Sequence, residues 1–406
     1  VGPGGGRRLV LHVGLHKTGT TYLQNVLRAN RAALAAQGVW VPVPDVAGVP
    51  SATMAAWDLR GRRSERSRDR RQVGQWDALC SAAARSPMPV ALVSAESLSL
   101  LTRRQASRAL AGFADRSPTV VVTCRDLGRV LVSGWQESVK NGAVEDWSTY
   151  VARVRDREAR GRDPGRGFWL NHDLPAVLDV WGHTVPTDRL VVVTLPPAGA
   201  PAGTLLARFA EAVGFDPSPL DTSSARANPG LGVAGTEVVR RLNVRLGRRL
   251  NGRQQDHVVR HVVVGGLRAA DDAREGLPVE ELPWLTGEAR RTVAAVRHSG
   301  ARVVGDLDDL RPRPDPGARR PGSATDEEVA AAALAGLEQL TQRYARLWWR
   351  SRRGDPARVE PEGLRTRAGS ARRRLDFVCR RLVADVADHN DLAARAVGAY
   401  LRTGRR

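Results

Sequence analysis

The segment GLHKTGTTYLQ, Gly14 to Gln24, gathers the residue types best suited to holding an anion. Gly14 and Gly19 let the backbone turn tightly and aim its N–H groups inward. Leu23, Val26, Leu27 and Leu34 follow at helical spacing, so a helix starts at about Thr20 with its positive end facing the turn. Such a place suits a phosphate. Lys17 adds a compact positive charge, and Thr20 and Thr21 add hydroxyl donors. The order differs from the triphosphate loop GxxxxGK[ST]: here the lysine precedes the second glycine by two positions, and both residues after that glycine are threonine. The chain holds 63 basic residues and only two are lysines, Lys17 and Lys140. A lysine kept against such a bias points to a need for an ammonium on a flexible stem that a planar guanidinium does not meet.

A second segment, TVVVTCRDLGRVLVSGWQ, sets Arg125 just after a β-rich run and Ser133 eight residues later, two helical turns along, so both can face one anion. GLHKTGTT closely resembles the 5′-phosphosulfate loop of sulfotransferases that use 3′-phosphoadenosine 5′-phosphosulfate (PAPS). The Arg125 and Ser133 pair resembles that family's 3′-phosphate segment. WQESVKNG from Trp135, LVVVTLPPAG and VVGDLDDL look like the bacterial members beginning LHVGLHKTGTT, and the likeness covers about residues 8 to 312. One departure stands out: the RKGxxG loop that closes over the 3′-phosphate in many animal members is absent, leaving Arg248, Arg249 or Arg253 as substitutes.

The resemblance implies a sulfotransferase moving a sulfonate from PAPS to a hydroxyl or amine, with no metal. It implies a donor site of Gly14, His16, Lys17, Thr18, Gly19, Thr20, Thr21, Arg125 and Ser133. Lys17 would contact the 5′-phosphate and the bridging oxygen, stabilising charge as the sulfur–oxygen bond breaks. Catalytic candidates are Lys17, Glu96 and His16. Glu96 follows the run PVALVSAE and should emerge at the carboxyl end of the sheet, where open α/β folds bind ligands; the alternative is a helix-start glutamate favoured by the dipole. His16 titrates near neutrality, and its alternative role is steric. Lys140 is either an acceptor-side cation or a solvated lysine. Asp173 reads as a helix cap, and His257 with His261, four apart, lacks the further ligands a metal would need.

Elements that position these residues follow from the apolar pattern. Short β-rich runs lie at Val10–Gly14, Val39–Val43, Pro89–Ser94, Thr119–Cys124, Leu190–Leu195 and Ala301–Val304, with helical patterns between them. Alternation of this kind predicts an α/β fold, a P-loop-like parallel sheet sandwiched by helices, with a C-terminal helical extension. Later helical patterns run over Thr236–Leu250, Gln254–Leu267, Asp326–Trp349 and Ala371–Leu401. The expected division is a PAPS-binding domain over 1–312, a Pro/Arg-rich linker over 313–323 and the helical extension over 324–406.

At 406 residues and 42% hydrophobic, the chain has material for a substantial core. Its net charge of +20 raises the alternative of a basic nucleic-acid-binding protein. Against that, the cluster of seven arginines from Arg60 to Arg71 has no interleaved aromatics to stack on bases, so no specific nucleic acid is expected. The stretch GRRSERSRDRRQ reads as a surface loop or a lid drawing in acidic acceptors. A P-loop phosphotransferase or nucleotide triphosphatase is the other alternative, and it calls for a magnesium site that the sequence does not display. Cys80, Cys124 and Cys379 form no CxxC pair, no run is long and apolar enough for a transmembrane segment, and no signal-peptide core opens the chain, so a cytoplasmic protein is expected. The acceptor, small molecule or glycan, and the oligomeric state are left open by the sequence.

Overall fold

Six of the apolar runs become strands of one sheet in the computed structural model, which describes residues 6–42, 49–61, 73–156, 165–223, 230–247, 249–267 and 273–352. Strand β1 (Arg8–His12) leads through the glycine loop into α1 (Thr20–Ala29) and α2 (Arg31–Ala36), then β2 (Val39–Trp40), α3 (Ala52–Leu59) and α4 (Gln75–Arg85). β3 (Val90–Ser94) precedes α5 (Arg103–Ala111). β4 (Ser117–Cys124) precedes four helices, α6 (Leu127–Lys140), α7 (Trp147–Arg155), α8 (Gly165–His172) and α9 (Leu174–Gly182). β5 (Leu190–Thr194), α10 (Thr204–Val213) and α11 (Val233–Leu246) follow. The expected helix over Gln254–Leu267 is a composite of α12 (Gly252–Gln254), a π-helical stretch (Gln255–Val263) and α13 (Val264–Leu267). Last come α14 (Leu282–Ser299), β6 (Arg302–Val304) and α15 (Asp326–Arg352).

All strand pairs are parallel, in the order β2-β3-β1-β4-β5-β6. Strand residues alternate between two apolar layers. Leu9, Leu11, Val120 and Val122 meet α3, α4 and α9 through Leu59, Trp76 and Trp181, while Val10, Val121 and Val191 meet α1, α2 and α10 through Leu23, Leu34 and Phe209. Period-two burial on both faces is what a sheet sandwiched by helices requires, and the α/β expectation holds. A third apolar cluster joins α6, α7 and α8 to α11, the π-helical stretch and α14, with Trp135 packed edge-on against Trp147 at 5.7 Å.

Packing divides the chain into two units, Val1–Thr341 and Gln342–Arg406; the described part of the second, 342–352, is helical. The segment 313–323 lies in the first unit, where Arg319 donates its N–H to the Arg274 carbonyl (2.8 Å) and accepts from Gly276 (2.9 Å). The strand expected over Val39–Val43 is two residues long, at the sheet edge. Residues 62–72, with most of the arginine cluster, Arg248, and the 371–401 helix lie outside the described residues. No helix among those described is long and apolar enough to cross a membrane.

Candidate functional site

From β1 the chain turns toward β2 and β3, and from β4 it turns toward β5 and β6 on the other side. The carboxyl ends of β1 and β4 therefore flank the switch point, where an open α/β sheet leaves a crevice. The glycine loop follows β1 and Arg125 follows β4, so the topology brings the two segments expected to bind anions to one place.

The loop is held from below by a chain of buried hydroxyls. Thr18 Oγ1 donates to the Leu15 carbonyl (2.6 Å) and also meets Thr123 Oγ1 (2.8 Å), which meets His12 Nε2 (3.1 Å), whose Nδ1 meets Ser94 Oγ (2.8 Å). The terminal carbonyl accepts only, so every donor in the chain points one way: Thr123 donates to Thr18, His12 Nε2–H to Thr123, and Ser94 to Nδ1. This assigns a neutral Nε2–H tautomer to His12, in keeping with a burial that drives its pKa down to about 3. Thr18, expected as a donor-binding residue, thus spends its hydroxyl on bracing the loop.

Gly14 sits where a Cβ would stand 2.4 Å from Thr20 Oγ1. Gly19 caps α1 at φ 77°, and α1 has neither a side-chain cap nor an acidic residue in its first turn. Its first amides have no capping side chain of their own helix. Lys17 has φ 64°, alone in positive φ among the described non-glycine residues. A left-handed lysine costs about 1–2 kcal/mol and persists where its surroundings fix it.

Those surroundings are ionic. Lys17 Nζ donates to Glu137 Oε2 on α6 at 2.6 Å, and Arg260 on the π-helical stretch donates to the other oxygen, Oε1, also at 2.6 Å. Burial would raise the Glu137 pKa, but the charge and hydrogen bond of Lys17, with Arg260 and Lys140, outweigh it and hold the carboxyl at about 2. Glu96 behaves oppositely: burial raises its pKa despite Lys17 and a hydrogen bond from Thr20. His16 Nδ1 lies 3.4 Å from Glu96 Oε2, and burial together with Lys17 lowers its pKa to about 4. The buried ring of His172 stands nearly perpendicular to His16, centroids 6.4 Å apart, and burial takes it to about 3. Glu96, His16 and Lys17, picked from sequence as catalytic candidates, are thereby brought together.

Arg125 reaches the same loop, its Nη1 donating to the Lys17 carbonyl at 3.4 Å. Its Nε is buried without a hydrogen-bond partner, and burial, then the neighbouring Arg129, lowers its pKa to about 10. The nearby carboxylate, Asp126, is taken by Arg129 and by the first turn of α6. Ser133 turns its hydroxyl back onto its own helix, 2.8 Å from the Arg129 carbonyl and 3.1 Å from that of Val130, rather than onto Arg125. Lys140 is buried beside Glu137 rather than solvated, and Asp173 caps α9 through Ala176.

Sequence reasoning passed over His12, Thr123, Glu137 and Arg260. For Glu137 the signal was present in WQESVKNG, but a helical glutamate beside a lysine looks like any solvated pair.

No family model and no curated protein matches the chain. Among solved structures, a sulfotransferase from Alicyclobacillus acidocaldarius aligns with a TM-score of 0.39 at 15% identity, over 53% of this chain and 85% of that one. A likeness of that size carries no weight for activity or ligand.

Proposed function

We propose that the chain is a sulfotransferase that binds PAPS across the β1 and β4 strand ends and passes its sulfonate to a hydroxyl or amine. One observation supports the reading: Lys17 and Arg125, 108 residues apart in sequence, both stand at the switch point, where the Arg125 guanidinium donates to the Lys17 main-chain carbonyl. Two cations, an open helix N-terminus and a buried unpartnered Nε–H together fit a ligand with anionic groups at both ends.

When bound, the donor supplies an activated sulfur: the acceptor's lone pair bonds to it while the bond from sulfur to the bridging oxygen breaks, that electron pair leaving with the phosphate. Lys17 and the first amides of α1 take the 5′-phosphate side, and Lys17 neutralises the charge that grows on the departing oxygen. Arg125 holds the 3′-phosphate, and Ser133 joins it by rotating its hydroxyl off its own helix. Glu96 takes the acceptor's proton. Its raised pKa makes it a better base than Glu137, which stays ionised and poorly basic. His16 orients Glu96 through its Nδ1.

The test compares affinities for adenosine 3′,5′-bisphosphate and adenosine 5′-monophosphate by calorimetry, alongside transfer of label from sulfur-labelled PAPS to an acceptor panel. Arg125→Ala should weaken the bisphosphate by about 1.5–3 kcal/mol and the monophosphate little. Equal losses for both would remove Arg125 from the 3′ site, and a preference for ATP with magnesium would turn the reading toward phosphoryl transfer.

A further inference from the structure

The Glu137 carboxylate is shared between two cations that come from distant elements. Lys17 Nζ holds one oxygen from the positive-φ loop and Arg260 Nη2 holds the other from the π-helical stretch, each at 2.6 Å. Arg260 is itself fixed, since its Nη1 donates to Asn141 Oδ1 (2.6 Å) at the end of α6. π-helical turns are rare and are frequently found at functional sites. Here the side chain that meets Glu137 lies on such a stretch.

Lys17 is also the cation on which the proposed donor depends, so its ammonium cannot serve Glu137 and an incoming anion in full at once. Lys17, Arg260 and Lys140 bring three positive charges against the two carboxylates Glu137 and Glu96, so an approaching anion is attracted even with Glu137 in place. Freeing a half-buried carboxylate from its only cation would be costly, but Glu137 let go by Lys17 stays bonded to Arg260.

We propose that Glu137 is a resident counter-anion of the donor site: its carboxylate fills the seat between Lys17 and Arg260, the entering anion displaces it from Lys17, and Arg260 retains it. Glu137 is then a competitor that sets donor affinity and Arg260 is a positioning residue that lowers the cost of displacement. This rests on the reading of Lys17 as the cation that faces the donor.

The experiment is a double-mutant cycle read by calorimetry at fixed low salt, with pyrophosphate, adenosine 5′-monophosphate and adenosine 3′,5′-bisphosphate as probes. Glu137→Gln should bind pyrophosphate and the bisphosphate about tenfold more tightly than the natural chain, the size of one charge-assisted contact no longer broken. Arg260→Ala should weaken both several-fold in the natural background and clearly less in the Glu137→Gln background, where only its charge at a distance is lost. Arg260→Lys should restore part of the loss. Thermal midpoints identify any variant that fails to fold, with Glu137→Ala in reserve. Unchanged or weaker binding by Glu137→Gln, or an equal Arg260→Ala effect in both backgrounds, overturns the proposal. Tighter pyrophosphate with no preference for the bisphosphate over the monophosphate leaves the counter-anion standing and removes the PAPS reading. The converse, a bisphosphate preference untouched by Glu137→Gln, does the reverse, and failure of every probe on every variant overturns both.

Discussion

Glu96 and Glu137 flank the same ammonium, and their surroundings push them apart. Glu137 accepts a hydrogen bond from Lys17 and a second cation on its other oxygen, and it ionises readily; Glu96 has burial as its leading influence and gives up its proton late. In the proposed reaction that separation favours Glu96 over Glu137 as the proton acceptor, since a base is useful only when its pKa approaches the working pH. The sign of the pH dependence follows. The proposed reaction needs ionised Glu96, so kcat should fall on acidification through a pKa above the ordinary 4.5 of a glutamate. Glu96→Gln should lose that limb and lower kcat by about 10²–10⁴-fold. The check is a kcat–pH profile of both proteins. An acid limb near 4 that survives in Glu96→Gln would hand the role to His16, whose pKa sits there.

At the level of elements, the loop is a problem of space as well as of charge. Gly19 has φ 77°, and a Cβ there would stand 2.5 Å from Leu205 Cδ2 on α10. The leucine tip can rotate away, while the left-handed backbone cannot be relieved without moving the loop. Gly19→Ala should therefore lower stability by about 1–2 kcal/mol, and adding Leu205→Ala should not restore it. Denaturant midpoints of the single and double variants decide, and full restoration would make the clash the whole cause. The loop was legible because glycine, lysine and threonine at fixed spacing act locally, and the strands were legible because burial on both faces leaves uninterrupted apolar runs such as VVV at 191–193. Glu137 pairs with a lysine 120 residues earlier, and Arg260 lies on a π-helical stretch whose hydrogen bonding a 3.6-residue repeat does not encode. His12 was illegible for a related reason: it reads as a polar break in β1 until the register sets it against Ser94, with Thr123 at the neighbouring strand end.

Across the whole molecule, the buried histidines tie the fold to pH. His12 lies inside the sheet between Ser94 and Thr123, and His172 closes α8 against Phe168, ring centroids 4.8 Å apart. Both are neutral when folded, with pKa values near 3 against an ordinary 6.5. Between those values the unfolded chain binds protons that the folded chain refuses, so acid favours unfolding and the stability present above pH 6.5 is lost as pH falls. At pH 5 each of these two histidines costs about 2 kcal/mol relative to pH 7, and His16, lowered to about 4, adds to the loss in the same direction, a large part of the 5–15 kcal/mol typical of a fold. The protein should thus lose stability steeply from pH 7 to pH 5, with no such slope from pH 7 to pH 8. His12→Gln removes one of the three histidines whose pKa is lowered, the others being His172 and His16, while leaving a side chain able to donate toward Thr123. It should be less stable at pH 7 than the natural chain, yet lose about 2 kcal/mol less on going to pH 5. Urea denaturation at both pH values gives the comparison. Equal slopes in the two proteins would mean that His12 takes up its proton without unfolding, and the assignment of a neutral, hydroxyl-bracketed His12 beneath the loop would fall with it.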